Sequence, residues 1–153
     1  MESKKWTKDL PFSWLDLSEV FQDKPNKIVI SSWTALDFFG INEDLIHETT
    51  VTVPKGYNSV KIREFANVKQ RTPKKYDFQI EIFNIEGKLV NIHSPERAFV
   101  EVIKEQKGRY SDVIISLIRG FFTKFKYDVR KLIEAAEKFN ILDEIINLKA
   151  FNA

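Results

Sequence analysis

Hydrophobic positions along this chain recur with two different periods, and the change from one to the other divides it. Between Tyr76 and Ile85, Phe78, Ile80 and Ile82 alternate with Gln79 and Glu81, the period of a half-buried strand. Glu86-Gly87 interrupts the run and Lys88 to Ile92 resumes it, which predicts a hairpin with a two-residue turn. Beyond His93 the spacing lengthens to about 3.6 residues and stays there, the signature of helices. A first helix is predicted from Pro95 to about Glu105. A second starts at Ser111 and carries Val113, Ile114, Leu117, Ile118, Phe121, Phe122 and Phe125 on one apolar stripe. Asp128 caps a third with Leu132, Ile133, Ala136 and Phe139 inward, Asn140 ends it, and Ile141 to Leu148 forms a short last one.

The first half is more broken. Lys5 to Phe21 mixes polar residues with Trp6, Leu10, Phe12, Trp14, Leu15, Leu17, Val20 and Phe21 around Pro11, as a short helix on the edge of a core does, and ends in the turn-prone DKPNK of Asp23 to Lys27. Ile28 to Ile30 is a β-branched run. In SSWTALDFFGI, Ser31 or Ser32 is placed to cap a helix with Ala35, Leu36 and Phe39 on one face and Gly40 to close it. ETTVTV (Glu48 to Val53) and VKIREF (Val60 to Phe65) read as two further strands on either side of Pro54 and KGYNS. The expected fold is therefore α+β: a mainly antiparallel sheet with an N-terminal helix and a C-terminal set of three to four helices packed on it.

Composition narrows the chemistry. The chain has 153 residues, 43% of them hydrophobic, with 13 phenylalanines, enough for one aromatic-rich core. It has no cysteine and only two histidines, His47 and His93, so neither disulfides nor a thiolate or imidazole metal site is expected. No apolar run is long enough to cross a bilayer and ESKKWTKDLPFSW lacks the apolar segment of a signal peptide, so the expectation is a cytoplasmic protein with no membrane partner. A formal net charge of +2 is too small to imply a nucleic-acid partner by itself.

Three local clusters invite a functional reading. In NIHSPERAFVEVIKE, His93, Ser94, Glu96 and Arg97 stand together, but Ser94 before Pro95 is a cap followed by a helix-starting proline, and Glu96 sits in the positive first turn. No oxyanion loop accompanies a Ser/His/Glu triad. Arg97 has two accounts, a pair with Glu101 one turn on, or a fork of donors satisfying strand or loop carbonyls under the sheet. Ser94, Pro95, Glu96 and Arg97 are thus read as a structural motif.

Asp77 with Glu86-Gly87-Lys88 imitates the carboxylates and lysine of a metal-dependent nuclease, yet the glycine marks a turn where that chemistry needs a strand. Phosphate-binding loops, dinucleotide fingerprints and calcium loops are all absent from the sequence, so no catalytic residue, metal or cofactor is expected.

The third cluster is the strongest charge asymmetry in the chain. Lys55, Lys61, Arg63, Lys69, Arg71, Lys74 and Lys75 face a single acid, Glu64, and are interleaved with Tyr57, Asn58, Phe65, Gln70 and Tyr76. Two readings stand side by side, a surface for a nucleic acid or an acidic protein and a solvated edge strand whose lysines block aggregation. Asp37, Glu43, Asp44 and Glu48 gather elsewhere, which predicts an electrostatically two-faced molecule.

SSWTALDFFGI, TVTVPKGYN, EGKLVNIHSPERAFVEVIKE and VRKLIEAAEKFNILDEI, in that order, resemble the antitoxin (C-terminal) domain of the AbiEi family. Ala35, Leu36, Gly40, Pro54, Lys55, Gly56, Gly87, Ser94, Pro95, Glu96 and Arg97 are the positions similar to the family pattern, which extends from about Ile28 to the end. The resemblance implies residues 28–153 as the antitoxin-like domain and 1–27 as an N-terminal extension packed on the core. It also implies a protein without catalysis that counteracts a nucleotidyltransferase-like toxin in a type IV toxin-antitoxin system of abortive phage infection, without a stable complex being required. The family's usual operator-binding winged helix does not fit in the residues before Ile28, and Glu101 stands where the family commonly has aspartate. Nucleic-acid binding through the basic residues, as a transcriptional regulator of DNA or an RNA-binding protein, is the alternative expectation.

Overall fold

A computed structural model describes residues 3–21, 27–41, 48–106 and 108–152. In chain order these form β1 (Lys4–Lys5), α1 (Ser13–Leu17), β2 (Val29–Ile30), α2 (Ser32–Phe38), β3 (Thr50–Pro54), a 3-10 turn (Ile62–Glu64), β4 (Asn67–Arg71), α3 (Pro73–Tyr76), β5 (Ile80–Ile85), β6 (Lys88–His93), α4 (Pro95–Gln106), α5 (Asp112–Thr123), α6 (Val129–Lys138) and α7 (Leu142–Phe151). The fold is α+β, with an N-terminal helix and a C-terminal helical set around a six-stranded sheet of order β1-β5-β6-β2-β3-β4.

The sheet is mixed, which corrects the mainly antiparallel expectation. Only β5–β6 and β2–β3 run antiparallel, whereas β1–β5, β2–β6 and β3–β4 are parallel. The cause lies in VKIREF. A parallel partner for β3 requires a crossover of about a dozen residues, and residues 55–66 supply it as a loop with a 3-10 turn, leaving β4 to begin at Asn67. Ile62 is its buried anchor, while Val60 and Phe65 face solvent.

The strand expected from Tyr76 begins instead at Ile80. Thr72-Pro73 starts a one-turn helix with proline in its first turn, and Gln79 takes a left-handed φ of 52° before the ladder starts. The hairpin itself forms as the sequence predicts. Glu86 and Gly87, at φ 53° and 82°, make the doubly left-handed turn that matches strand twist, with β5 and β6 in register from Ile85↔Lys88 to Ile80↔His93.

Helix ends follow local rules. Gly40 closes α2 at φ 72°, its N–H donating to Asp37 and that of Ile41 to Leu36, and Asn140 closes α6 in the same way with Ile141 donating to Ala136. Ser111 and Asp128 cap α5 and α6 through their side chains. Ser31 occupies the cap position of α2, but its hydroxyl accepts from Thr52 Oγ1 at 2.9 Å instead of capping, which ties α2 to β3.

α4 is the central helix, buried on every side from Pro95 to Ile103 and packed against both α2 and α6. Phe99 stacks on Phe121 of α5 at 3.9 Å between ring centroids, and Phe122 and Tyr127 close around them. The stripes of α5 and α6 are narrower than their sequences suggest, since Val113 and Ile133 are exposed. Trp14, Leu17 and Phe21 join the same core from the N-terminal side, where Trp6 packs edge-on against Phe38 and Phe83.

Candidate partner interface and the buried polar junction

A helix buried all round can carry charged residues only if each finds partners inside the protein. Ser94 is the N-cap of α4: its Oγ accepts the Arg97 N–H at 3.1 Å and its own hydroxyl donates to Gln79. Gln79 in turn donates to the Lys131 carbonyl at 3.0 Å, so one residue joins the start of β5, α4 and α6. Glu96 does more than sit in a first turn. Its Oε2 accepts the Asp128 N–H at 3.1 Å at the entry to α6, and burial pushes its carboxyl above the ordinary value.

Arg97 realises both of its accounts together. Its Nε donates to Glu101 Oε1 at 2.7 Å, and Nη1 donates to the Phe78 carbonyl and reaches that of Tyr76 at 3.5 Å. The irregular backbone before β5 is what frees those carbonyls, since a regular strand commits its carbonyls to neighbouring strands. The guanidinium carbon also lies 5.5 Å from the Phe139 ring centroid and 5.9 Å from that of Phe78.

Glu101 is shared. Its second oxygen accepts from Arg71 Nη2 of β4 at 3.2 Å, and Lys69 of the same strand pairs with Glu105 one turn further along α4. Asn67, Lys69 and Arg71 alternate along β4, so the two cations project from one face. His93 closes the cluster with no solvent exposure, its Nδ1 3.9 Å from Glu101 Oε1. Burial first, and then Arg97, Arg71 and Lys69, hold His93 well below the usual imidazole range, so it stands neutral in the cluster.

The basic stretch is therefore two populations. Lys69 and Arg71 point at α4 and are paired there, and Lys75 lies over the Phe139 ring at 5.3 Å. Lys55, Lys61, Arg63 and Lys74 are exposed, and among the described residues none forms an ion pair; Arg63 Nε donates to Ser59 Oγ at 3.1 Å. Of the interleaved groups, Phe65 is 44% exposed beside them. Asn58 accepts the Val60 N–H, and the Tyr76 hydroxyl donates to the Lys27 carbonyl at 2.6 Å, burial raising it to about 12.

The nuclease-like residues do not converge. Asp77 precedes β5 and Glu86 follows it, which separates them by roughly 17 Å of extended strand. The Glu86 carboxylate accepts the Trp14 indole N–H instead. Among the described residues no group of three or more His, Asp or Glu is placed to hold a metal ion, and no helix is long and apolar enough to cross a membrane. On the acidic side, Glu48 accepts from Asn67 at 2.6 Å and burial raises Asp37, whereas Glu43, Asp44 and His47 lie outside the described residues.

Sequence reasoning passes over the acids of α4 that β4 meets, the buried Glu101 and the exposed Glu105. Glu105 was legible only as the end of a helix, and Glu101 only as a partner for Arg97, because nothing local says that an edge strand will deliver Lys69 and Arg71 to them. The period-two spacing of Lys69 and Arg71 was the available signal. Compared with protein-family models and with curated proteins, the chain matches none.

Proposed function

We propose that this chain is a non-catalytic, antitoxin-like domain that works in the cytoplasm by counteracting a nucleotidyltransferase-like toxin. The observation that carries the reading is the division of polar residues into a buried set and an exposed one. Ser94, Glu96 and Arg97, the residues most suggestive of chemistry, have their hydrogen-bonding groups turned to α6, Glu101 and the Phe78 carbonyl, so the resemblance they carry is one of framework. Lys55, Lys61, Arg63 and Lys74 are exposed, and on this reading they form the contact region. Co-expression with a nucleotidyltransferase-like toxin encoded beside this chain relieves growth arrest on this reading. Persistent arrest with both proteins well expressed rejects it.

A nucleic-acid-binding regulator is the second reading, favoured by the exposure of Phe65, a stacking surface, next to Lys61 and Arg63. It requires binding to duplex DNA or to RNA that weakens steeply as salt rises, because phosphate contacts release counterions. Binding that is absent at moderate salt removes it.

A further inference from the structure

The two edges of the sheet are built differently. β1, at one end, is two residues long and both are exposed lysines, a short charged edge of the kind that discourages a further strand. β4, at the other end, keeps an unbroken parallel register with β3 from Thr50↔Asn67 to Pro54↔Arg71, with no bulge and no proline of its own. Its two charged side chains, Lys69 and Arg71, are turned onto Glu105 and Glu101 of α4, so neither guards the edge. Short length, bulges, prolines and projecting charges are the devices that keep an edge from pairing, and β4 lacks them.

The register decides which groups that edge offers. The Asn67 N–H donates to the Thr49 carbonyl and the Arg71 carbonyl accepts from the Lys55 N–H, so the peptide groups of Asn67, Lys69 and Arg71 face β3. Those of Val68 and Gln70 face outward, two donors and two acceptors repeating at roughly 7 Å along the strand. Among the described residues they have no backbone partner. Exposed cations stand at both ends of this row. Lys61 and Arg63 belong to the turn that leads into β4, Lys55 lies opposite Arg71, and Lys74 follows in α3. The acids nearby are Glu64, exposed on the same turn, and Glu48, which accepts from Asn67. Val60 and Phe65, 70% and 44% exposed, add apolar surface next to Lys61 and Arg63.

We propose that the open edge of β4 takes up an extended, acidic segment of a protein partner as an added strand, with the carboxylates of that segment meeting Lys55, Lys61, Arg63 and Lys74. Main-chain hydrogen bonds to Val68 and Gln70 hold the strand, and its alternate side chains supply the selectivity. Val60 and Phe65 favour β-branched or aromatic residues between the acids. A nucleic acid satisfies the cations but has no peptide groups to match the outward N–H and C=O row, which is why a peptide fits this edge better. The inference rests on the reading of these cations as a protein contact region and adds what the partner presents there.

The probe is a short capped peptide of alternating valine and glutamate, titrated into the full chain from about 10 µM to about 1 mM while amide exchange is read residue by residue by NMR. At a concentration about ten times Kd, exchange at Val68 and Gln70 is expected to slow about tenfold, while Lys69, already bonded to β3, changes little. The same peptide N-methylated at every residue keeps its charges, loses its N–H donors and is expected to bind about tenfold or more weakly. Gln70→Pro removes one outward N–H at an edge position that tolerates proline and weakens the unmethylated peptide in the same way; the exchange pattern of the unmodified protein stands whether or not that variant folds. Absence of peptide binding at the highest concentration overturns the proposal, and an oligonucleotide that binds in its place assigns the surface to nucleic acid. Equal affinity for the N-methylated peptide, or a complex in which Val68 and Gln70 exchange as before, also overturns it. Relief of growth arrest without peptide binding rejects the added strand and leaves the antitoxin reading standing; persistent arrest with peptide binding and protected amides does the reverse.

Discussion

Arg97 and Glu101, one turn apart on α4, form an ion pair at 2.7 Å with essentially no access to solvent. An exposed pair at this spacing stabilises a helix by a few tenths of a kcal/mol. Here the helix is surrounded, and the cost of desolvating both charges is offset by the Phe78 carbonyl and by Arg71. The pair holds the arrangement together because removing either member strands the other. Arg97→Met is expected to cost about 3–5 kcal/mol in urea denaturation. Arg97→Met with Glu101→Leu is expected to cost less than the sum of the two single changes, and strict additivity would show that the pair is not coupled.

His93 gives stability a pH dependence of definite sign. Its folded value lies well below the ordinary 6.5, with Glu101, Arg97, Arg71 and Lys69 as the charged groups facing it. The unfolded chain therefore takes up a proton that the folded one refuses. Stability from this group is complete above about pH 6.5 and falls as pH drops below it, by up to about 1.4 kcal/mol per pH unit. His93→Gln is expected to flatten that slope just below pH 6.5. Glu96 has the opposite sign, since its raised folded value makes the native state the better proton acceptor as pH falls toward the carboxylate range. Denaturation midpoints of wild type, His93→Gln and Glu96→Gln across pH 4 to 7 separate the two.

Charge reversal divides the basic stretch. Lys61→Glu with Arg63→Glu changes exposed residues and is expected to alter stability by no more than about 0.5 kcal/mol and, under the proposed antitoxin function, to abolish toxin neutralisation. Lys69→Glu with Arg71→Glu sets acids against Glu105 and Glu101 and is expected to destabilise the fold itself. Parallel unfolding and co-expression measurements check both, and unchanged neutralisation in the folded surface variant removes Lys61 and Arg63 from the contact region.

Gly87 turns the β5–β6 hairpin at φ 82°, and a Cβ there meets nothing within 4 Å. The cost of Gly87→Ala is therefore conformational alone, about 1–2 kcal/mol. A neutral result in chemical denaturation would mean that the hairpin tolerates another turn type.

Much of the architecture was determined by the sequence by itself, wherever the signal was local. The Glu86-Gly87 turn, the Ser94-Pro95 start of α4, the caps at Ser111 and Asp128 and the closures at Gly40 and Asn140 are set by backbone preferences and hydrogen bonds within a few residues. Tertiary structure alone decided what those elements meet. VKIREF alternates like a strand, yet it became a crossover because β3 pairs with a parallel neighbour. Lys69 and Arg71 read as surface charge until β4 set them against the acids of α4. Whether a charge is solvated or buried depends on the desolvation and partners that distant segments supply, and period and propensity carry no record of which segment that will be.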